Sequence, residues 1–286
     1  SGEVFSLHDP SRDRAIEYHL ILPRAGGRHP LVLFSHGSGG DFRSYGWIHR
    51  ALVDGGYAVA ALNHPGNAAG DNTSVGLLRV WDRPQDLSRI LDDMLSRPAL
   101  SAIIDAGRIG AIGHSSGGYT VLALSGGIFN PENMAAYCES DDRGPDCELA
   151  ADAVAVDYTG ASEPYRDPRV GAVVALAPAV GPAVESGSLG SVTIPVLIVA
   201  AVDDEILPHA RHAMHYAGHI PGAELWELPA GGHFLFMQCN PVTYVADWFI
   251  EEFELCAEPA GASRAEIQRE LAPGIVAFFD NELGAG

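Results

Sequence analysis

Gly113-His114-Ser115-Ser116-Gly117 places two adjacent serines between glycines at the end of an apolar run, within the stretch RIGAIGHSSGGYTVLAL (108–124). The spacing Gly-x-Ser-x-Gly is that of a nucleophile elbow, a sharp strand-to-helix turn that exposes a serine hydroxyl. Glycines at 113 and 117 admit a turn too tight for a Cβ on either side. Ser115 is therefore the expected nucleophile. Ser116 is the residue after it, and its backbone N–H at a helix N-terminus would face a developing oxyanion. A serine hydroxyl needs a base, and the base needs an orienting acid. Downstream, VLIVAAVDDEILP ends an apolar run in Asp203-Asp204, and LPAGGHF places His233 after the next one. The order Ser, Asp, His fits an elbow of this kind. A second oxyanion donor is expected from the loop SHGSGG (35–40), which resembles a His-Gly-Gly-Gly loop. The Ser38 N–H is the expected donor, with His36 bracing the loop.

These residues need a scaffold that brings strand ends together. PLVLFSHGSGG, YAVAALNHPG, RIGAIGHS, VGAVVALAP and IPVLIVAAVDD read as buried strands. YGWIHRALVDGGY, RPQDLSRILDDMLSR, SGGYTVLALSG, HARHAMHYAGH and RAEIQRELAPGIVAFFDNEL read as helices. The alternation predicts a doubly wound, mostly parallel α/β sheet with helices on both faces. In such sheets ligands bind outside the carboxyl ends of the strands, where Ser115, Asp203-Asp204 and His233 all fall. The chain reads as one domain over 1–286, with an excursion over the active-site edge at 126–169. Tyr45, Trp47, Asn63 and His64 lie near strand exits and are candidate pocket residues, with burial in the core the equal alternative for Trp47.

Composition narrows the class. The 286 residues are 47% hydrophobic, with a mean hydropathy of +0.07 and no run long enough to span a bilayer. The formal net charge is −20. Such a surface repels nucleic acid and anionic membranes. All 17 basic residues are Arg, which codon bias in a GC-rich genome would produce. Cys138, Cys147, Cys239 and Cys256 show no Cys-x-x-Cys spacing, so zinc is not expected. Locality favours the disulfides 138–147 and 239–256, and with them a periplasmic or secreted protein; reduced thiols would mean a cytoplasmic one. The leading Ser1-Gly2 reads as a cloning scar or a trimmed mature terminus, from which an export signal could have been removed.

Other clusters take plainer readings. His209, His212, His215 and His219 would share a helix face, but no carboxylate or thiol completes a metal site. Asp82, Arg83 and Asp86 read as an ion pair bracing a helix start. The acids at 139–146 read as a solvated loop. No cofactor is expected.

At this point the sequence resembles the α/β-hydrolase superfamily, and within it the bacterial predicted dienelactone hydrolases, which are similar to platelet-activating-factor acetylhydrolases. The carriers are PLVLFSHGSGG, GYAVAALNHPG, RPQDLSRILDDML, RIGAIGHSSGGYTVLAL, ALAPAVG, IPVLIVAAVDDEILP and AGGHFLFMQC, from about Pro30 onward. The Asp-x-x-x-Pro spacing from Asp204 to Pro208, common after this strand in the superfamily, selects Asp204 as the acid, with Asp203 the fallback. The Cys-containing tail supports the 239–256 bond and export. Dienelactone hydrolases use a cysteine where this chain has Ser115. The acetylhydrolases place their acid where this chain reads ALAPAVG. The resemblance therefore implies serine carboxylic-ester hydrolysis, on small-molecule or polymeric esters, with the ester left open. A polyester or cutinase-like hydrolase, a lactonase, an arylesterase, an amidase or peptidase, and a non-catalytic binding protein are the alternatives.

Overall fold

The apolar runs become strands and the amphipathic stretches helices, in a computed structural model that describes residues 2–150, 155–239, 254–259, 261 and 263–284. In chain order they are β1 (Glu3–Asp9), β2 (Arg14–Ile21), β3 (His29–Ser35), α1 (Gly46–Asp54), β4 (Ala58–Leu62), α2 (Asp82–Ser96), β5 (Ile104–His114), α3 (Ser116–Ser125), α4 (Pro131–Glu139), β6 (Val170–Leu176), β7 (Val196–Ala201), α5 (Ala213–His219), β8 (Glu224–Leu228) and α6 (Arg264–Leu283). The eight strands form one sheet in the order β1-β2-β4-β3-β5-β6-β7-β8. β1 pairs antiparallel with β2, and β2 with β4; every other neighbouring pair is parallel.

Side chains alternate across a strand, and here both faces are covered. In β3, Leu31 and Leu33 pack on one side with Leu87, Ile90 and Leu91 of α2 and Tyr119 and Leu122 of α3. Val32 and Phe34 pack on the other with Ile48 and Leu52 of α1 and Ile275 and Phe279 of α6. Burial on both faces explains why the strands read as continuous apolar runs.

The helix expected from His209 begins only at Ala213, because the backbone of His212 is non-helical (φ −110°, ψ −83°). The 126–169 stretch contains α4, a 3-10 turn over Pro145–Ala150 and extended chain; residues 151–154 lie outside the described residues. Disulfides join Cys138 to Cys147 and Cys239 to Cys256. Among the described residues no helix is long and apolar enough to cross a membrane.

His49 on α1 is buried against Phe34, at a ring distance of 4.5 Å, and its Nε2 has no hydrogen-bond partner among the described residues. Burial pushes it down to about 4. Its folded value lies below its unfolded one, so acid favours the unfolded chain. The stability carried by neutral His49 is complete above about pH 6.5 and is lost as the pH falls toward 4, on the order of 2 kcal/mol at pH 5. His49→Phe should therefore raise the melting temperature more at pH 5 than at pH 8. An equal shift at both pH values would show that His49 does not titrate with unfolding.

Candidate active site

Ser115 occupies the single residue between β5 and α3 and has φ 57° and ψ −120°, a conformation that costs a non-glycine residue about 1–3 kcal/mol. The turn closes only because its flanks lack side chains. A Cβ on Gly117 would lie 2.0 Å from the Ser35 carbonyl oxygen, and one on Gly113 would lie 2.2 Å from the Gly117 carbonyl oxygen.

β7 and β8 end at the same edge of the sheet, and their exit loops carry the partners. The Ser115 hydroxyl donates to His233 Nε2 at 3.0 Å, and His233 Nδ1–H donates to Asp204 Oδ2 at 2.8 Å. Asp204 Oδ1 accepts the amides of Ile206 and Leu207 at 3.0 and 2.7 Å. Burial alone would raise the Asp204 carboxyl. The charge and hydrogen bond of His233, with the two amides, outweigh burial and hold it below the ordinary carboxylate range. Asp203 points elsewhere and, among the described residues, accepts the Gly232 amide alone, at 3.4 Å. Glu205, which the sequence reading passed over, accepts the His233 amide at 2.9 Å. Its signal was its place in the acidic run Asp203-Asp204-Glu205.

Ser116 opens α3, so its N–H has no partner within the helix. Its hydroxyl lies 2.6 Å from that of Ser38, so the loop after β3 and the start of α3 meet beside Ser115.

No family model and no curated protein matches this sequence. Solved structures do match. A ferulic acid esterase from Streptomyces cinnamoneus is similar over 98% of this chain and 88% of its own, with a TM-score of 0.64 and 22% identity. An acylaminoacyl peptidase from Pyrococcus horikoshii gives a TM-score of 0.57 at 14% identity, and a puromycin-hydrolysing peptidase from Mycobacterium tuberculosis 0.58 at 13%. This chain spans 42% and 39% of those two peptidases. The chain has the α/β-hydrolase fold.

Of the residues expected in a pocket on this α/β-hydrolase sheet, three are buried beneath the site instead of lining it. Tyr45 is wholly buried, and its hydroxyl donates to His114 Nδ1 at 2.9 Å. Trp47 is buried and donates its indole N–H to the Phe236 carbonyl at 2.8 Å. His64 is wholly buried: Nδ1–H donates to Asp86 at 3.0 Å and Nε2 accepts from the Ser35 hydroxyl at 2.9 Å. Half-buried Asn63 bridges the Phe42 amide and the Asp41 carboxylate, at 3.1 Å each. These four are polar near strand exits because they tie loops together.

His36 does brace its loop. Its Nδ1–H donates to the Gly37 carbonyl at 2.6 Å, and its Nε2 accepts the His64 amide at 3.0 Å. Burial, then the nearby Arg83 charge, keeps His36 and His64 neutral. Arg83 does not make the ion pair expected to brace the helix start. Asp82 and Asp86 pair with Arg12 and Arg14, while Arg83 turns inward to the His36 carbonyl, Asn67 and Thr120. Burial lowers it to about 9, still charged at neutral pH.

His209 pairs with Glu227 at 2.8 Å, and His215 donates to the Val184 carbonyl at 3.2 Å. His212 accepts the Gly181 amide at 3.2 Å and lies 3.2 Å from Asp146. His219 donates to the His215 carbonyl at 2.7 Å. The four histidines thus do not converge on one point: His209 and His212 face different carboxylates, and His215 and His219 face backbone carbonyls.

If Asp204 orients His233, Asp204→Asn should lower turnover by about 10³–10⁴-fold, whereas Asp203→Asn should cost less than about tenfold. Steady-state rates on an activated ester check the order. The reverse order would move the acid to Asp203.

Proposed function

We propose that the protein is a serine carboxylic-ester hydrolase acting on small, short-chain esters through an acyl-enzyme on Ser115. The observation that carries this reading is the chain from the Ser115 hydroxyl through His233 to Asp204, at 3.0 and 2.8 Å, on a strained elbow at the carboxyl edge of a parallel sheet. His233 takes the Ser115 proton as Oγ attacks the acyl carbon, and the Asp204 carboxylate stabilises the imidazolium that forms. The Ser38 and Ser116 amides receive the oxyanion. His233 then returns the proton to the leaving alkoxide, and water releases the acid by the same steps.

An ester is favoured over an amide because the ferulic acid esterase is similar over most of both chains, while the peptidases carry more than half their length beyond the similarity. Ile206 and Leu207, just after Asp204, and Phe234, just after His233, form with Ala179 and Val180 a small apolar cluster beside the site. The two disulfides support an exported protein. No step needs a metal or cofactor.

Hydrolysis of p-nitrophenyl esters of rising acyl length should be fastest on short chains, and Ser115→Ala should lose at least about 10³-fold. Activity that survives in Ser115→Ala would overturn the nucleophile. A faster rate on matched amides would make the protein an amidase. Labelling of the wild type by a fluorophosphonate, absent in Ser115→Ala, separates a hydrolase from a non-catalytic binder. Mass spectrometry without reductant should find no alkylatable thiol; four free thiols would remove the argument for export.

A further inference from the structure

We propose that His114 and Tyr45 are positioning residues that hold the oxyanion loop and the histidine loop in register around Ser115. The inference rests on the ester-hydrolase reading above and goes beyond it by naming residues that touch no reacting atom.

His114 ends β5, one residue before Ser115, and is 1% exposed. Each of its ring nitrogens has one partner. Nε2 lies 2.9 Å from the carbonyl oxygen of His233, an atom that only accepts, so Nε2 carries the proton. Nδ1 is then a lone pair, and the Tyr45 hydroxyl at 2.9 Å must donate to it. That leaves the Tyr45 oxygen free to accept, and the Gly37 N–H donates to it at 3.2 Å. One order of protons satisfies the whole chain: Gly37 N–H to Tyr45, Tyr45 O–H to His114, His114 N–H to the His233 carbonyl. Burial, with the His233 ring next, pushes His114 down to about 3, so this order does not change near neutral pH.

The two ends of the chain are the two loops whose positions matter. Gly37 precedes Ser38 in the oxyanion loop, and the His233 carbonyl belongs to the residue that takes the proton. Packing leaves no slack between them. A Cβ on Gly37 would lie 3.3 Å from His114 Nδ1, 3.4 Å from the Tyr45 hydroxyl and 3.4 Å from Ser115 Cβ. The His114 and His233 rings lie 4.9 Å apart, tilted by 38°. A misplacement of about 1 Å at such a site costs about 10²-fold in rate. Losing either side chain orphans buried groups at once: a hydrophobe at 114 strands the Tyr45 hydroxyl and the His233 carbonyl, and Phe at 45 strands His114 Nδ1 and the Gly37 amide.

The test compares wild type, Tyr45→Phe, His114→Gln and His114→Leu. It reads kcat and KM on p-nitrophenyl acetate, the rate of fluorophosphonate labelling, and melting temperature. Tyr45→Phe, folded at the assay temperature, should lose about tenfold or more in kcat with KM within about threefold, and label more slowly in proportion. His114→Gln, whose amide still donates hydrogen bonds, should recover part of what His114→Leu loses. The inference is overturned if the folded Tyr45→Phe and His114→Leu proteins keep kcat within about twofold of wild type, whatever their melting temperatures. Should those two fail to fold, the kcat of His114→Gln decides in the same sense. A wild-type protein that neither turns over the ester nor takes up the probe would instead overturn the ester-hydrolase reading, and this inference with it.

Discussion

Ser115 adopts φ 57° and ψ −120°, and it keeps this conformation because its own backbone groups leave it little alternative. Its N–H donates to the Leu176 carbonyl at 2.9 Å, and its carbonyl accepts the amides of Tyr119 and Ala179 at 3.1 and 3.0 Å. Those partners lie at the end of β6, in the first turn of α3 and in the loop after β6. The strain is therefore held by the register of β5 with β6, in which His114 stands opposite Leu176. The loop after β6 is itself strained, with Ala177 at φ 39° and Val180 at φ 50°, and Val180 is β-branched, which makes that conformation a true outlier. Parallel pairing then carries the constraint outward, because β7 and β8 end at the same edge and deliver Asp204 and His233 to it.

The interior under this edge is polar in an ordered way. His36, His64 and His114 are wholly buried and neutral, and every ring nitrogen they carry has a partner. In a low dielectric such a network is rigid when fully paired and costly when broken. The all-arginine basic set has a physical use here, whatever its genomic origin. Arg14 holds Asp86 through two nitrogens at 3.0 and 2.8 Å, and Arg169 holds Asp167 in the same way at 2.8 and 2.6 Å. Arg83 spreads its donors over three elements. A planar fork with several fixed donors does this, and an ammonium does not.

Ser115 and His233 were legible because local sequence marks them: glycines that a tight turn demands, and an apolar run that stops at a strand exit. The sheet was legible for the same reason, since strands buried on both faces leave a strong signal. Asp204 stood apart from Asp203 only through the Asp-x-x-x-Pro spacing of the resemblance, and in the structure it is Asp204 that meets His233 Nδ1. The two acids are neighbours on one loop, and the tertiary path decides which carboxylate reaches the histidine. Tyr45 and His64 were read as pocket residues and are buried instead, because a polar aromatic near a strand exit looks the same whether it faces solvent or fastens a loop from below; Trp47 took the other of its two readings, burial in the core. The pairings of His114 and Glu205 and the inward turn of Arg83 were not readable from spacing. Each has at least one backbone partner far away in the chain, the His233 carbonyl, the His233 amide and the His36 carbonyl, and a backbone group has no sequence signature.

The disulfide-bearing stretch after α3 shows how the acid loop is steadied from outside the sheet. The Cys138–Cys147 bond closes α4 onto the turn that carries Asp146. Asp146 accepts the Tyr137 hydroxyl at 3.1 Å and lies 3.2 Å from His212, and Asp142 pairs with Arg211. Gly144 packs so closely that a Cβ there would lie 2.5 Å from Pro208. Pro208, Arg211 and His212 follow Asp204 within eight positions of the chain, so the stretch holds the far end of the segment whose near end orients His233. The covalent link has a mechanical sense in this place. A surface stretch holds another loop still more firmly when its own path is tied, and the disulfide closes a nine-residue loop within it.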